Sequence, residues 1–268
     1  MNSILLKTVV LNLMPNKETT EQQIITLLKE NGITPDITWL TTATYQSRHT
    51  DLTYLKEHYN TLEQIKNKQF DLCIITGAPV EHLDFENVIY WKELQEIFNF
   101  SKTNVICTVF ICWAAQAALY HFFGINKYPL QRKCFGIFPQ TVEQPDSPFL
   151  YQIENGFNMP HSRYSHIKRE YFTSQYDLSI LASLDSEPTL LSAFDHQQLY
   201  ITGHLEYDTN TLHYEYQRDK EKGSDILPPK FYYLNNNASL SPVNCWRETA
   251  LALYFNIIQL IINKRNNK

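Results

Sequence analysis

Asn104 to Phe123, NVICTVFICWAAQAALYHFF, is the stretch whose reading decides the fold. Val105 to Ile111 is β-branched and apolar, the pattern of a strand buried on both faces. Trp113 to Phe123 is rich in Ala and Leu and predicts a helix. Cys112 sits on the seam. A cysteine at a tight strand-to-helix turn presents its sulfur at the carboxyl edge of a sheet. The first N–H groups of the helix lie beside it, and the helix dipole favours a thiolate. That is the arrangement of a nucleophile elbow, with Cys in place of Ser. A small cysteine packed beneath a helix is the plainer reading of the same residue, so a second feature has to choose between them.

Upstream, the pattern alternates. Lys7 to Met14 reads as a strand, Pro15-Asn16-Lys17 as a turn, and Thr19 or Thr20 as the cap of a helix through Ile24, Leu27 and Leu28 that Gly32 ends. Ile37 to Thr42 is a second strand. Asp51 to Lys66 has a helical spacing of Leu55, Leu62 and Ile65. Phe70 to Thr76, FDLCIIT, is a third strand running into Gly77-Ala78-Pro79, and Tyr90 to Phe100 is a helix. Strands alternating with helices over short links imply a mostly parallel sheet with helices on both faces, an α/β fold. Ligands in such sheets gather at the carboxyl ends of the strands, where Pro15, Gly77 and Cys112 all fall.

Downstream, Gly136 to Val142 is a candidate strand and Asn158 to His166 a polar loop. Leu178 to Leu184 and Thr189 to Phe194 read as an antiparallel pair, and Gln198 to Thr202 as a strand. Thr211 to about Lys222 is helical, Gly223 to Ser241 a loop, and Cys245 to Lys264 a final helix. No repeat or linker divides the 268 residues, so one domain, 1–268, is the simplest organisation.

Bulk properties exclude several classes. Apolar residues make up 43% and charged residues 19%, a globular balance. The net charge of −5 and the lack of a basic tract argue against nucleic acid. The five cysteines form no CxxC pair, which fits a reducing compartment and argues against a disulfide framework or a metal site. The start lacks the pattern of a signal peptide. The apolar run Ala250 to Ile262, broken by Asn256 and Gln259, is too short to span a membrane. A cytoplasmic protein with no membrane partner is expected.

The second strong feature is Thr202 to Asp208, TGHLEYD. A strand delivers a glycine turn and then His204. Glu206, two residues on, can curl back to hold one imidazole nitrogen and leave the other as a base. Cys112, His204 and Glu206 then form a triad supplied by two strand ends, which favours the nucleophile reading of Cys112. Gly77 and Ala78, with the N–H of Trp113, are candidates for an oxyanion hole, although the tripeptide taken alone is an ordinary turn.

With these residues in place, a resemblance is plain. LNLMPNK at 11–17, TGAPVE at 76–81 with Tyr90-Trp91, FICWAAQAAL at 110–119, PHSRY at 160–164 and TGHLEYD at 202–208 are similar, in one order, to the homoserine O-acyltransferases (O-succinyl- and O-acetyltransferases) of methionine biosynthesis. The resemblance implies a class I glutamine amidotransferase-like, flavodoxin-like fold. It implies that Cys112 is an acyl-thioester nucleophile, His204 its general base and Glu206 the partner that orients it. It implies substrate contacts at Lys17, Lys133, Ser162 and Arg218. Glu215, three residues before Arg218, can pair with an α-ammonium while Arg218 clamps an α-carboxylate; an ordinary i,i+3 salt bridge is the plainer reading of that pair. It implies no permanently bound cofactor, acetyl-CoA as co-substrate, small-molecule partners and a homodimer. Members that transfer succinyl groups carry Gly where this chain has Glu81, and acetyl-transferring members carry Glu, so acetyl-CoA is the expected donor. The family's arm before the first strand has no counterpart here. Asn16 and Leu205 depart from its pattern. L-serine is therefore kept as an alternative acceptor, and succinyl-CoA as an alternative donor. The amidotransferase-like fold also keeps glutamine amidohydrolysis open, although that chemistry usually wants a glycine near the nucleophile.

Overall fold

The computed structural model describes residues 4–45, 50–172 and 177–267. In chain order the elements are β1 (Ile4–Leu11), α1 (Lys17–Glu30), β2 (Ile33–Leu40), α2 (Leu52–His58), β3 (Tyr59–Asn60), α3 (Leu62–Ile65), β4 (Phe70–Ile75), α4 (Trp91–Asn104), β5 (Val105–Ile111) and α5 (Trp113–Phe123). They are followed by β6 (Lys127–Pro139), β7 (Thr141–Val142), β8 (Asn158–Ile167), β9 (Leu178–Leu184), β10 (Glu187–Ala193), β11 (Gln198–Ile201), α6 (Thr211–Glu221) and α7 (Arg247–Asn266). A nine-stranded sheet runs β3-β2-β1-β4-β5-β11-β10-β9-β7, and β6 and β8 form a separate antiparallel ribbon. The pairs from β3 to β11 are parallel, and β10, β9 and β7 continue the sheet antiparallel.

The period of two along each strand sorts its side chains into two cores. Leu6 and Val10 of β1, with Cys107, Val109 and Ile111 of β5, face α1 and α7, where Ile24, Leu27, Leu253, Ile257 and Ile261 close one layer. Val9 and Leu11 of β1 and Phe110 of β5 face the other way, onto α4 and α5. β4 is buried at all its positions, as a central strand covered on both faces must be. Asn256, which interrupts the apolar run of α7, donates to the carbonyls of Phe149 and Tyr151 at 2.9 and 2.8 Å, so its amide is buried with partners.

The structure corrects several boundaries. The cap of α1 is Asn16, whose side chain accepts from Thr19 N–H, rather than Thr19 or Thr20. Residues 51–66 are not one helix: Tyr59-Asn60 pairs with β2 as β3, because the Tyr59 hydroxyl is fixed between Glu21 and Asn12. The candidate strand 136–142 is the end of the longer β6, with Thr141–Val142 moving to the edge of the main sheet. Asn158 to His166 is strand β8, not a loop. Its polar composition hid a period of two in which His161, Arg163 and Ser165 point inward and are buried. Their partners lie far off in sequence: Arg163 Nη2 meets Glu187 Oε1 at 2.7 Å, and Ser165 Oγ donates to Gln116 at 2.7 Å. No helix among the described residues is long and apolar enough to cross a membrane.

Candidate active site

Three neighbouring strands bring the site together. Ile75 of β4 pairs with Phe110 of β5, and Ile201 of β11 pairs with Ile111. In that parallel register Gly77 falls beside Cys112, Thr202 lies on its other side, and His204 is two residues further on. Cys112 has φ 53° and ψ −116°, a conformation that side-chain-bearing residues rarely adopt. The elbow is held open by a hydrogen bond from Cys112 N–H to Ile201 O at 2.6 Å. Its carbonyl accepts from Ala115 and Gln116, the first bonds of α5.

His204 is placed from behind by β8. Its N–H donates to Pro160 O at 2.8 Å. Gly203 is required by this approach, since a Cβ there would stand 2.6 Å from both Met159 Cγ and Pro160 O. The imidazole Nδ1 lies 2.7 Å from Glu206 Oε1, and the ring couples electrostatically to the Cys112 sulfur. Cys112, His204 and Glu206 are all buried. Burial disfavours the imidazolium, but the Cys112 sulfur and the Glu206 carboxylate outweigh it, holding His204 well above the ordinary imidazole range. The result is an imidazole held between the Cys112 sulfur and a carboxylate.

Gly77 is the floor between the two reacting groups. A Cβ there would lie 3.3 Å from Cys112 Cβ and 3.8 Å from His204 Cε1. Gly77→Ala is expected to lower kcat by about 10–100-fold, by displacing the Cys112 sulfur from the imidazole, with little change in Tm. Steady-state kinetics and a melting curve on one preparation check it. The N–H groups of Gly77, Ala78 and Trp113 take no acceptor among the described residues.

The remaining sequence-predicted residues form a polar ring beside the triad. Glu215 of α6 accepts from Ser162 Oγ and from the Tyr207 hydroxyl, the latter at 2.7 Å. Lys133 Nζ is 3.8 Å from Glu215 and 2.9 Å from Asp219 Oδ2. Arg218 pairs with Asp219, Nη2 to Oδ1 at 2.7 Å, so the i,i+3 bridge from Glu215 to Arg218 is not what these residues make. Burial pushes the Glu81 carboxyl up, against the lowering pull of the Tyr164 backbone N–H and of nearby Lys133 and His204. Lys17 is buried, its ammonium on Asn12 O at 2.5 Å. Burial lowers it to about 8, against the pull of Glu21. A cleft of about 1500 Å³ opens over this side, with Lys17, Pro79, Tyr207, Glu215 and Arg218 in its wall. It reaches the triad through Tyr207 and Pro79 rather than at the sulfur itself.

Two residues of the site were not singled out from sequence. Tyr207 stacks on His204, centroids 4.1 Å apart at 19°, and was legible only as the fourth letter of HLEY. Asp219 gathers Lys133 and Arg218 into one cationic pair; nothing in its local sequence marks it. Among the described residues no group of His, Cys, Asp and Glu is placed to hold a metal ion.

The fold and its cysteine elbow define the class. A glutamine amidotransferase of Thermotoga maritima superposes with a TM-score of 0.59 at 12% identity, over 96% of this chain and 98% of that one. A putative GMP synthase subunit of Thermoplasma acidophilum gives 0.59 at 12% identity, over 99% and 98%. This is the class I glutamine amidotransferase-like α/β fold. Within it the sequence is more specific. The homoserine O-succinyltransferase family model matches residues 2–267. A homoserine O-acetyltransferase of Geobacillus kaustophilus is 43% identical over 252 residues, 94% of this chain and 83% of the relative. A homoserine O-acetyltransferase of Ilyobacter polytropus is 44% identical over 252 residues, again 94% and 83%. The chain belongs to the homoserine O-succinyltransferase family and is an acyltransferase.

Proposed function

We propose that the protein transfers an acetyl group from acetyl-CoA to the side-chain hydroxyl of L-homoserine, through a thioester on Cys112, as a step of methionine synthesis. The observation that carries this reading is the placement of His204 between the Cys112 sulfur and Glu206 at a strained elbow. In the first half-reaction the Cys112 thiolate attacks the thioester carbonyl carbon. The oxyanion forms against the N–H groups of Gly77, Ala78 and Trp113. The bond to the coenzyme sulfur breaks, and that sulfur takes the proton from His204. In the second half the acceptor hydroxyl attacks the acyl-enzyme while neutral His204 removes its proton. The ester leaves and the thiolate–imidazolium pair is restored.

The polar ring suits a zwitterionic acceptor. Glu215 takes the α-ammonium, Arg218 and Lys133, aligned by Asp219, take the α-carboxylate, and Ser162 and Tyr207 fix Glu215. Lys17 reaches the same cleft from α1. Glu81 fills the space beside the acyl group and disfavours a donor that carries its own carboxylate. Tyr207→Phe keeps the ring on His204 and removes the donor to Glu215. The acceptor KM is expected to rise about three- to tenfold, the worth of one ordinary hydrogen bond, with kcat and donor KM within about twofold.

The test is release of free coenzyme thiol from acetyl-CoA or succinyl-CoA, with L-homoserine and L-serine in parallel. The expected result is turnover with acetyl-CoA and homoserine, with succinyl-CoA gained by Glu81→Gly. A wild-type preference for succinyl-CoA overturns the donor assignment, and turnover with serine alone overturns the acceptor.

A further inference from the structure

A second cleft, of about 950 Å³, lies between the β6–β8 ribbon and the β9–β10 turn. Its wall carries Arg132, Lys133, Lys168, Arg169 and Lys230 against three carboxylates, one of them the Glu187 that already meets Arg163. The larger cleft has the opposite balance, with more carboxylates than cations in its wall. A polyanion is therefore drawn to the smaller cleft.

The cleft is built rather than incidental. Lys230 is delivered by a segment docked on β6, with Lys230 N–H on Phe135 O at 3.0 Å and Ile137 N–H on Lys230 O at 2.9 Å. Gly136, at φ 141°, allows that docking: a Cβ there would stand 2.3 Å from Lys230 O. The side chains of Arg132 and Lys230 make no ion pair or hydrogen bond among the described residues, and both are exposed. The Lys168 ammonium sits 4.3 Å over the Tyr128 ring. Tyr128 in turn stacks on Tyr171, centroids 5.4 Å apart at 6°, and Tyr171 is 41% exposed. A flat aromatic surface thus adjoins the cations, as a purine requires.

The cleft also touches the site. Lys133 is in its wall and in the polar ring at once. From Ser162 to Lys168 the chain runs along β8 for about 20 Å at the rise of an extended strand, which separates the reacting carbon from the cationic end.

We propose that this cleft holds the nucleotide end of the acyl-CoA donor. The diphosphate and the ribose phosphate lie on Arg132, Lys168 and Lys230, with the purine against Tyr171. The pantetheine arm passes Lys133 and Glu81 to reach Cys112. Donor and acceptor then approach the triad from opposite sides of Glu215. The assignment rests on acyl-CoA being the donor.

The test uses the double variant Arg132→Glu/Lys230→Glu and two readouts. In the first, KM is compared for acetyl-CoA and for S-acetylpantetheine, which has the arm without the nucleotide. Acetyl-CoA KM is expected to rise at least about tenfold, the loss of charge-assisted phosphate contacts, while S-acetylpantetheine KM stays unchanged. In the second, calorimetric binding of adenosine 3′,5′-bisphosphate is expected to weaken as much, and wild-type binding to weaken with added salt. Unchanged acetyl-CoA KM and unchanged bisphosphate binding overturn the assignment, as does an equal loss with both thioesters. If the wild-type protein transfers acetyl from neither thioester yet binds the bisphosphate in a charge-dependent way, the functional reading fails and the donor assignment with it, while the cleft remains a nucleotide-binding site.

Discussion

The Cys112→Ser enzyme is expected to turn over at least about 10³-fold more slowly than the wild type, and the Cys112→Ala enzyme not to turn over at all. Serine keeps the shape of the elbow, but a hydroxyl is far harder to ionise than a thiol, so it is a much weaker nucleophile beside His204. The nearby N–H groups of Gly77, Ala78 and Trp113 remain, and leave only the residual rate that oxyanion contacts and binding supply. The same residue separates function from stability. At φ 53° and ψ −116° any Cβ is strained, so Cys112→Gly is expected to be inactive yet more stable than Cys112→Ala by about 1 kcal/mol. Thermal or denaturant melts of the two variants measure that difference; equal stabilities, or a less stable glycine variant, would mean the elbow is not strained.

Glu206→Gln is expected to lower kcat by about 10³–10⁴-fold, as loss of the orienting carboxylate does in related triads. The amide is nearly isosteric and buried, so the geometry survives while the imidazolium loses its counter-charge. His204 then falls from its raised value and supports the Cys112 sulfur less well as a nucleophile. The rate of Cys112 alkylation by iodoacetamide near pH 7 drops accordingly, while alkylation of denatured protein is unchanged. The sign for stability follows from the same shift. A histidine raised in the folded state contributes stability that is full below the ordinary imidazole value of about 6.5 and is lost as pH rises through the folded value. The wild type's advantage over Glu206→Gln is therefore largest on the acidic side and shrinks toward alkaline pH. An alkylation rate and a stability difference that do not change with the substitution would remove Glu206 from this role.

Much of this was legible because the chemistry sits where local patterns are strongest. The strand, the elbow and the helix from Val105 to Phe123 are found at the boundaries their composition predicts. The reason is that an apolar β-branched run and an Ala-rich run each satisfy both local propensity and burial. TGHLEYD was legible for a similar reason: a glycine that must clear Met159 and Pro160, followed by a histidine and carboxylate whose spacing closes a hydrogen bond. β8 was not legible. Its inward residues are His161, Arg163 and Ser165, and what makes them strand residues is Glu187, Gln140 and Gln116, none of them near in sequence. Arg163 also packs its guanidinium on His161, Nε to Nδ1 at 3.2 Å, which helps hold His161 well below the imidazole range, after burial as the larger cause. Asp219 was invisible for the same reason: its importance is that Lys133 of β6 and Arg218 of its own helix meet on it. Periodicity reports what a segment buries, but not which distant charge makes a polar burial tolerable.

If Cys112 carries the acyl group between two substrates, it is acylated by the donor alone. Mixing the protein with acetyl-CoA, quenching in acid and mapping the modified peptide by mass spectrometry should give one acetyl group on Cys112, absent in Cys112→Ala, and discharged as O-acetylhomoserine when L-homoserine is added before the quench. Turnover without any acetyl on Cys112, or an acetyl-Cys112 that homoserine does not discharge, would contradict that role.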